Sequence, residues 1–319
     1  MASIIRMNFN MKISGALLLF FLLKFTECGP VRNHNVQAVD LDYFCMRQIS
    51  TPENEKLAPI ILLHGLGSTK EGWDGAYQLL AVHTKRKVCV PDLRNHGSSP
   101  YSKEADVEAM AADIVRMIGS LNTDKAILLG HSLGGKVAVH VALNHPDKVE
   151  KLIVEDMRPN GITPVVLKQI KGFMQLVRAG VASIPEGLTE HEAKVHFVKF
   201  ILEKTKQMNV STDLTVNEAD RIPIRCTDGK CSFRVNVELF QKVIKDPESF
   251  LTHSEGVYKG PALFIYGTKS PFKVGEDEAN IHKLFPKAKL VPVEGAGHII
   301  HLKHDKFWDE TIKFIISDS

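Results

Sequence analysis

Short apolar runs alternate with helix-like segments from residue 36 onward. The runs are continuous, as in strands buried on both faces of a parallel sheet, and lie at 59–63, 87–92, 125–130, 149–154, 262–266 and 288–293. Apolar positions at helical spacing lie at 107–121, 136–143, 276–285 and 305–316. This alternation predicts an α/β fold with a mostly parallel sheet and helices on both faces.

The pattern changes between residues 159 and 250, where helical stretches dominate and no buried strand is evident. Because the flanking strands belong to one sheet, we predict a helical cap (159–250) inserted in a core formed by 29–158 and 251–319. A second independent domain is the less favoured alternative. Residues 36–50 alternate in character and predict a strand pair.

The first 28 residues differ from the rest of the chain. Arg6 and Lys12 precede an apolar run over 13–23, and residues 1–26 contain no acidic side chain. A basic segment followed by a short apolar run is typical of a secretory signal peptide, and the run is too short to span a bilayer comfortably. We therefore predict a signal peptide over 1–28 and a secreted or secretory-pathway protein without a stable membrane span. An uncleaved anchor or a mitochondrial presequence is the alternative.

Cysteine usage favours the same compartment. If Cys28 leaves with the signal, four cysteines remain at positions 45, 89, 226 and 231. Cys226 and Cys231 flank Asp228-Gly229, a strong turn signal that could bring the two sulfurs together. Asn209-Val-Ser211 is also a glycosylation sequon, which is usable only in the secretory pathway. Together these features favour an oxidising compartment.

The charge of the chain argues against one class of partner, nucleic acids. The chain has 40 basic and 37 acidic residues, a formal net charge of +3. We see no dense basic stripe that would neutralise nucleic-acid phosphates, so no nucleic-acid partner is expected.

The strongest chemical signal is the segment Gly130-His-Ser132-Leu-Gly134, which lies directly between a predicted strand and a predicted helix. In the G-x-S-x-G pattern the serine sits on a sharp turn that exposes its hydroxyl, and the helix N-terminus favours developing negative charge. We predict Ser132 as a catalytic nucleophile. The alternative is a tight turn whose serine only caps the helix.

A serine nucleophile needs a base, which comes last in the chain order of this pattern. His298 follows the last predicted strand in Gly295-Ala-Gly-His298 and is the predicted base. The spacing of His301 and His304 could suggest a metal site, but no carboxylate or cysteine set completes one. No metal and no cofactor are expected.

The oxyanion requires two backbone N–H donors. The residue after the nucleophile, Leu133, is one predicted donor, and Leu66 in His64-Gly-Leu-Gly67 is the other. The alternative for this second segment is an ordinary turn at the end of a strand.

The acid is the least defined member of the set. In many such folds it follows the penultimate strand, but here that strand runs into Gly267-Thr-Lys-Ser-Pro271, which has no carboxylate. We predict Asp156, because it ends the strand next to that of the serine, and Glu155 should point the other way by strand alternation. Glu238 is the reserve candidate.

These motifs resemble one branch of the α/β-hydrolase superfamily, which includes abhydrolase-domain-containing protein 11 and related small bacterial acyl esterases. The resemblance rests on 64–67, 92–98, 130–136, 234–236, 260–261 and 295–298. It implies an acid at Asp156, as in the bacterial members, or at Glu238, as described for some animal members. The animal members are mitochondrial, which makes mitochondria the alternative location.

The predicted function is a serine hydrolase that cleaves a carboxylic ester or thioester of an acyl or lipid-like small molecule through an acyl-enzyme on Ser132. A catalytically silent fold kept as a binding protein is the competing hypothesis, and the missing carboxylate near Ser270 is its support. A peptidase would share the triad but has no other feature here.

Overall fold

The structure is a computed structural model that describes residues 36–48, 51–208, 214–236, 239 and 254–317. The predicted signal peptide, the sequon at 209–211 and Glu238 lie outside the described residues. Within the described residues the strands are β1 (Tyr43–Met46), β2 (Ile60–Leu63), β3 (Val88–Pro91), β4 (Ala126–His131), β5 (Val149–Glu155), β6 (Ile224–Thr227), β7 (Lys230–Phe233), β8 (Ala262–Gly267) and β9 (Ala288–Val293). The α-helices are α1 (Ala76–Thr84), α2 (Val107–Ser120), α3 (Leu133–Asn144), α4 (Pro164–Ala182), α5 (Glu190–Gln207), α6 (Glu278–Leu284) and α7 (Asp305–Ile316).

A seven-stranded sheet forms the centre of the molecule, in the order β1-β3-β2-β4-β5-β8-β9. All neighbouring strands are parallel except β1, which pairs antiparallel with β3. Along β2, Ile60 and Leu62 pack with α1 and α7, whereas Ile61 and Leu63 pack with α2, α3 and α6. Helices therefore cover both faces of the sheet, and this confirms the predicted α/β class.

The N-terminal segment differs from its prediction, because residues 36–48, the part of the predicted pair that the structure describes, contain the single strand β1. Side chains satisfy the backbone just before it: Val39 N–H donates to the Asp113 carboxylate (2.7 Å) and Asp42 N–H donates to the Ser99 hydroxyl (2.9 Å). No second strand is needed for these groups. The register places Cys45 opposite Cys89, and the two form a disulfide bond that the sequence analysis did not predict.

Residues 159–236 leave the sheet after β5 and are called the insertion below. Helices α4 and α5 pack on each other and on β6 through a separate apolar cluster that includes Val177, Phe197 and Ile224. The insertion also contains a two-stranded hairpin, β6–β7, which adds strands to a segment predicted as helical.

A tight turn closes the β6–β7 hairpin. Asp228 (φ 51°) and Gly229 (φ 76°) both have positive φ angles, as the preferred two-residue hairpin turn requires. The turn sets Cys226 opposite Cys231, and these two form a disulfide bond. None of the described helices has both the length and the apolar character that crossing a membrane requires.

Candidate active site

Ser132 lies at the turn between β4 and α3. Its backbone has φ 52° and ψ −117°, and its N–H donates to the Glu155 carbonyl at 3.0 Å. A Cβ at Gly130 would lie 2.2 Å from the Gly134 carbonyl oxygen, so the first glycine of the motif permits this close turn. Positive φ in a non-glycine residue costs on the order of 1–3 kcal/mol and is concentrated at functional sites. Only 9% of Ser132 is exposed.

Asp156 follows β5 and contacts the imidazole of His298. The distance from His298 Nδ1 to Asp156 Oδ2 is 2.7 Å. Asp156 is fully buried and also has a positive φ of 50°, whereas about a quarter (27%) of the His298 side chain is exposed. A buried carboxylate at Nδ1 favours the tautomer in which Nε2 is free to accept a proton.

Ser270 occupies the position after β8 where the sequence analysis found no carboxylate. Its hydroxyl is fully buried and donates to Asp156 Oδ2, the oxygen that His298 also contacts. Gly267 N–H donates to the other oxygen, Oδ1, at 3.1 Å. The carboxylate missing near Ser270 is thus supplied from β5, and the serine helps to hold it.

Glu155 is directed away from Asp156 and binds the loop that carries His298. Its Oε1 accepts hydrogen bonds from the N–H groups of Ile300 (2.7 Å) and His301 (2.9 Å), and His301 Nδ1 lies 2.8 Å from Oε2. Burial opposes ionisation of Glu155, but His301, His131 and these donors hold its pKa at about 2. The two consecutive carboxylates therefore fix different parts of one loop.

Two aromatic rings surround His298. The Phe272 ring stacks on the imidazole at 4.0 Å between centroids, and the His131 ring lies at 4.7 Å. His131 Nε2 is 3.1 Å from the His298 carbonyl oxygen, and burial lowers the pKa of His131 to about 3. His131 is neutral at physiological pH, so it adds no positive charge beside His298.

The loop after β2 lies against Ser132. A Cβ at Gly65 would come within 2.8 Å of His131 Nδ1 and 3.3 Å of the Ser132 Cβ, so the backbone of this loop adjoins the serine. Leu66 is the next residue of the loop, and Leu133 begins α3 directly after Ser132. Both predicted oxyanion donors therefore belong to backbone that borders Ser132.

Two buried histidines, His64 and His96, connect the loop after β2 to the loop after β3. His64 Nε2 accepts a hydrogen bond from Leu93 N–H at 3.0 Å, and His96 Nε2 accepts one from Gly67 N–H at 3.4 Å. Burial lowers the pKa of both imidazoles, that of His96 to about 3, so they remain neutral acceptors.

Lys136 joins α3 to the first two residues of the insertion and to Ser254. Its buried ammonium donates to the Pro159 carbonyl and to the Ser254 hydroxyl (3.2 Å), and it lies 3.5 Å from Asn160 Oδ1. Asn160 and Ser254 are further bound to each other by two hydrogen bonds. Burial lowers the pKa of Lys136 to about 8.

The structure thus brings together five of the six predicted site residues: Ser132, His298, Asp156, Leu66 and Leu133. Glu238 lies outside the described residues. Sequence reasoning missed Ser270, Phe272 and the role of Glu155, and only the absence of a carboxylate after β8 pointed to an unusual arrangement there. Within the described part of the chain, no group of three or more His, Cys, Asp or Glu side chains is placed to hold a metal ion.

Comparison with known proteins identifies the fold family of this chain. Residues 58–305 match the family model described as alpha/beta hydrolase fold. The sn-1-specific diacylglycerol lipase ABHD11 of Mus musculus is 31% identical over 85% of this chain and 91% of its own length. A putative esterase/lipase of Haemophilus influenzae is 30% identical over 80% of this chain and 81% of its own. The solved structure of a marine microorganism esterase aligns with a TM-score of 0.67 and 29% identity, covering 87% of this chain and all of that one.

The family match spans most of the chain, and the relatives named here are lipases and esterases. The predicted family resemblance is therefore confirmed. The chain belongs to the α/β-hydrolase fold family.

Proposed function

We propose that the protein is a serine carboxylic-ester hydrolase with Ser132 as nucleophile, His298 as base and Asp156 as acid. The observation that carries this proposal is the buried Asp156–His298 contact beside a serine with strained backbone. A triad is recognised by such geometry and by the role of each group rather than by sequence position.

The reaction proceeds in two halves. Ser132 Oγ attacks the acyl carbonyl carbon while His298 Nε2 takes the hydroxyl proton, and Asp156 stabilises the imidazolium that forms. The tetrahedral intermediate expels the alcohol or thiol, which receives that proton from His298, and an acyl-enzyme remains. Water then attacks the acyl carbon with His298 again as base, which releases the carboxylic acid and restores Ser132.

The N–H groups of Leu66 and Leu133 are proposed to stabilise the oxyanion in both halves. Loss of one such donor typically costs about 3 kcal/mol of transition-state stabilisation. No step of the proposed mechanism calls for a metal ion or an organic cofactor.

The proposed substrate is an ester or thioester of an acyl or lipid-like small molecule. Two observations support this class. Leu66 packs in an apolar cluster with Met174, Ile170, Val235 and Phe233, which provides apolar surface next to the proposed oxyanion site. The relatives from Mus musculus and Haemophilus influenzae are named diacylglycerol lipase and esterase/lipase.

The alternative function is a catalytically silent binding protein of the same fold. A fluorophosphonate probe separates the two, because only an activated serine is labelled. We expect labelling of the wild type, none of Ser132→Ala, and a strong reduction in His298→Ala. Substrate class follows from hydrolysis of p-nitrophenyl butyrate, palmitoyl-CoA and dioleoylglycerol by the labelled protein.

The matched controls are Ser120→Ala and His83→Ala, which replace an exposed serine and an exposed histidine of the core. Both should label like the wild type. A folded wild type that does not label would favour the silent binder, and equal labelling of Ser132→Ala would place the nucleophile elsewhere.

We also propose that the protein acts in the secretory pathway or outside the cell, with mitochondria as the alternative. The apolar N-terminal segment and two disulfide bonds support an oxidising compartment. Expression in animal cells tests this proposal: a product in the medium that begins at Gly29 is expected, whereas recovery in mitochondria would contradict it.

A further inference from the structure

The C-terminal end of the insertion is attached to a core loop that follows β3. Gly97 N–H donates to the Arg234 carbonyl at 2.7 Å, and Asn236 N–H donates to the Asn95 carbonyl at 2.9 Å. His96 and Val235 form an antiparallel bridge between these contacts. This attachment joins two of the motifs that the sequence analysis singled out, 92–98 and 234–236, which the proposed mechanism does not use.

The Arg234 side chain extends from this attachment across three core groups. Its Nη2 donates to Ser98 Oγ at 2.6 Å, and its Nη1 donates to Glu71 Oε1 at 3.2 Å. Nη2 also lies 3.9 Å from Oδ2 of Asp92, a carboxylate that is fully buried. A planar guanidinium with several fixed donors suits such a set of acceptors better than an ammonium does.

The Asp92 carboxylate connects the attached core loop, at Ser98, to the segment that follows the Leu66 loop, at Lys70. Its Oδ2 accepts hydrogen bonds from Ser98 N–H (2.8 Å) and Lys70 Nζ (2.9 Å), and its Oδ1 accepts one from Lys70 N–H (2.8 Å). The backbone at Lys70 and at Ser98 is therefore fixed by one carboxylate.

The Leu66 loop is held between these points. It starts at the end of β2 and runs to the segment that Asp92 fixes at Lys70, and Gly67 N–H donates to His96, which pairs with Val235. The Leu66 side chain itself packs against Val235 and Met174 of the insertion. Displacement of residues 234–236 would therefore be transmitted to the backbone that carries the Leu66 N–H.

We propose that Arg234 is a positioning residue that couples the insertion to the oxyanion loop, so that the Leu66 N–H is placed for catalysis only when Arg234 holds Ser98 and Glu71. This inference rests on the proposed function. Misplacement of a catalytic group by about 1 Å can cost about 100-fold in rate, even when the change lies away from the reacting atoms.

The experiment compares Arg234→Gln and Arg234→Lys with the wild type on p-nitrophenyl butyrate. We expect kcat to fall about 10- to 100-fold in Arg234→Gln with KM changed less than about twofold, because the oxyanion donor acts in the transition state. Arg234→Lys keeps the charge but not the planar fork, so its kcat should be intermediate.

A transition-state readout separates positioning from loss of folded protein. A trifluoromethyl ketone forms a hemiketal oxyanion on the serine, so its Ki should rise in proportion to the loss in kcat/KM. The Ki of butyrate, the product acid, should stay at the wild-type value. A merely structural defect would lower the active fraction without changing the trifluoromethyl ketone Ki of the protein that remains active.

The matched control is Arg225→Gln, which replaces an exposed arginine of the β6–β7 hairpin and should keep wild-type kinetics. Ser98→Ala tests the contact from the core side, and its effect should be less than additive with Arg234→Gln. The inference is overturned if Arg234→Gln retains wild-type kcat and trifluoromethyl ketone Ki while the wild type hydrolyses the ester. A wild type that hydrolyses no ester would instead refute the proposed function itself.

Discussion

The core and the insertion differ in how much polar contacts contribute to holding them in place. The central strands β2, β3 and β4 are buried at every position, and their apolar side chains pack against helices on both faces. The insertion has its own apolar cluster, and it meets the core through apolar contacts at Val166 and Leu66 and through directional polar contacts at Lys136 and Arg234. Apolar packing thus dominates in the core strands that lead to Ser132 and Asp156, whereas the insertion adds directional polar contacts to its apolar contacts with the core.

This difference matters because polar contacts depend on geometry more strongly than apolar packing does. A hydrogen bond weakens steeply when its angle or distance changes, whereas apolar burial is non-directional. The core should therefore supply the catalytic groups at fixed positions, and the insertion should control how they meet the substrate.

The location of the acid provides the largest test of this comparison. Asp156→Asn should lower kcat by about 10⁴-fold, because the amide no longer stabilises the tautomer and the imidazolium that catalysis needs. Glu238→Gln, which changes the reserve candidate for the acid, should leave kcat within a few fold of the wild type, because no role in the reaction is then lost. Steady-state hydrolysis of p-nitrophenyl butyrate measures both.

The reverse ranking of these two variants would assign the role of acid to Glu238 instead of Asp156. Ser270→Ala refines the result, since it removes one donor to the Asp156 carboxylate while the His298 contact remains. Its loss in kcat should be smaller than that of Asp156→Asn.

The two disulfide bonds provide the next largest contrast. Cys45–Cys89 closes a separation of 44 residues in the core, whereas Cys226–Cys231 closes one of 5 in the insertion. Loop-closure entropy predicts a loss of roughly 4 kcal/mol for the first and roughly 2 kcal/mol for the second. Urea unfolding of each Cys→Ala double variant, with and without dithiothreitol, measures both losses.

Reductant serves as the internal control in that experiment. Dithiothreitol should still destabilise each double variant, because one disulfide bond remains. That destabilisation should be smaller than in the wild type by the amount that the two alanine substitutions themselves cost. An equal or larger loss from the hairpin bond would show that the insertion contributes more to global stability than its separate cluster suggests.

Sequence alone predicted the core more completely than the insertion, for a physical reason. Strands buried on both faces must be apolar throughout, so β2, β4 and β8 could be read directly, and parallel neighbours end at the same edge, which indicated Asp156. The contacts of Arg234 with Ser98 and Glu71 span separations of 136 and 163 positions along the chain. Contacts at such separations leave no periodic pattern in the sequence. Ser270 and the Cys45–Cys89 bond were missed for the same reason, since each depends on strand register.

The Glu155 carboxylate gives a pH-dependent test of how firmly the core holds the His298 loop. Its pKa in the folded protein is about 2, below the ordinary value of 4.5, so its contribution is complete above 4.5 and is lost as pH falls through 2. The free energy of unfolding of the wild type relative to Glu155→Gln should therefore fall by roughly 3 kcal/mol between pH 5 and pH 2. Urea unfolding at several pH values measures this difference.

Glu294→Gln is the matched control, because Glu294 is exposed. It should follow the wild-type pH dependence closely. A Glu155→Gln variant with the same pH dependence as the wild type would mean that the Glu155 carboxylate does not stabilise the His298 loop as an ion.

The smallest expected effect concerns the side chains at the N-termini of two helices, α5 in the insertion and α3 in the core. Thr189 caps α5 of the insertion by accepting from Glu192 N–H while the Glu192 carboxylate accepts from Thr189 N–H, a reciprocal capping box. Ser132 holds the same position at α3, yet within the described residues its hydroxyl makes no cap bond, and its φ is positive. Thr189→Ala should therefore cost about 1 kcal/mol of stability, whereas Ser132→Ala should change it by less than about 0.5 kcal/mol. Urea unfolding of both variants measures these losses in the free energy of unfolding. A loss in Ser132→Ala as large as that in Thr189→Ala would mean that Ser132 stabilises the helix. A negligible loss supports a serine that is retained for its chemistry at a cost in stability.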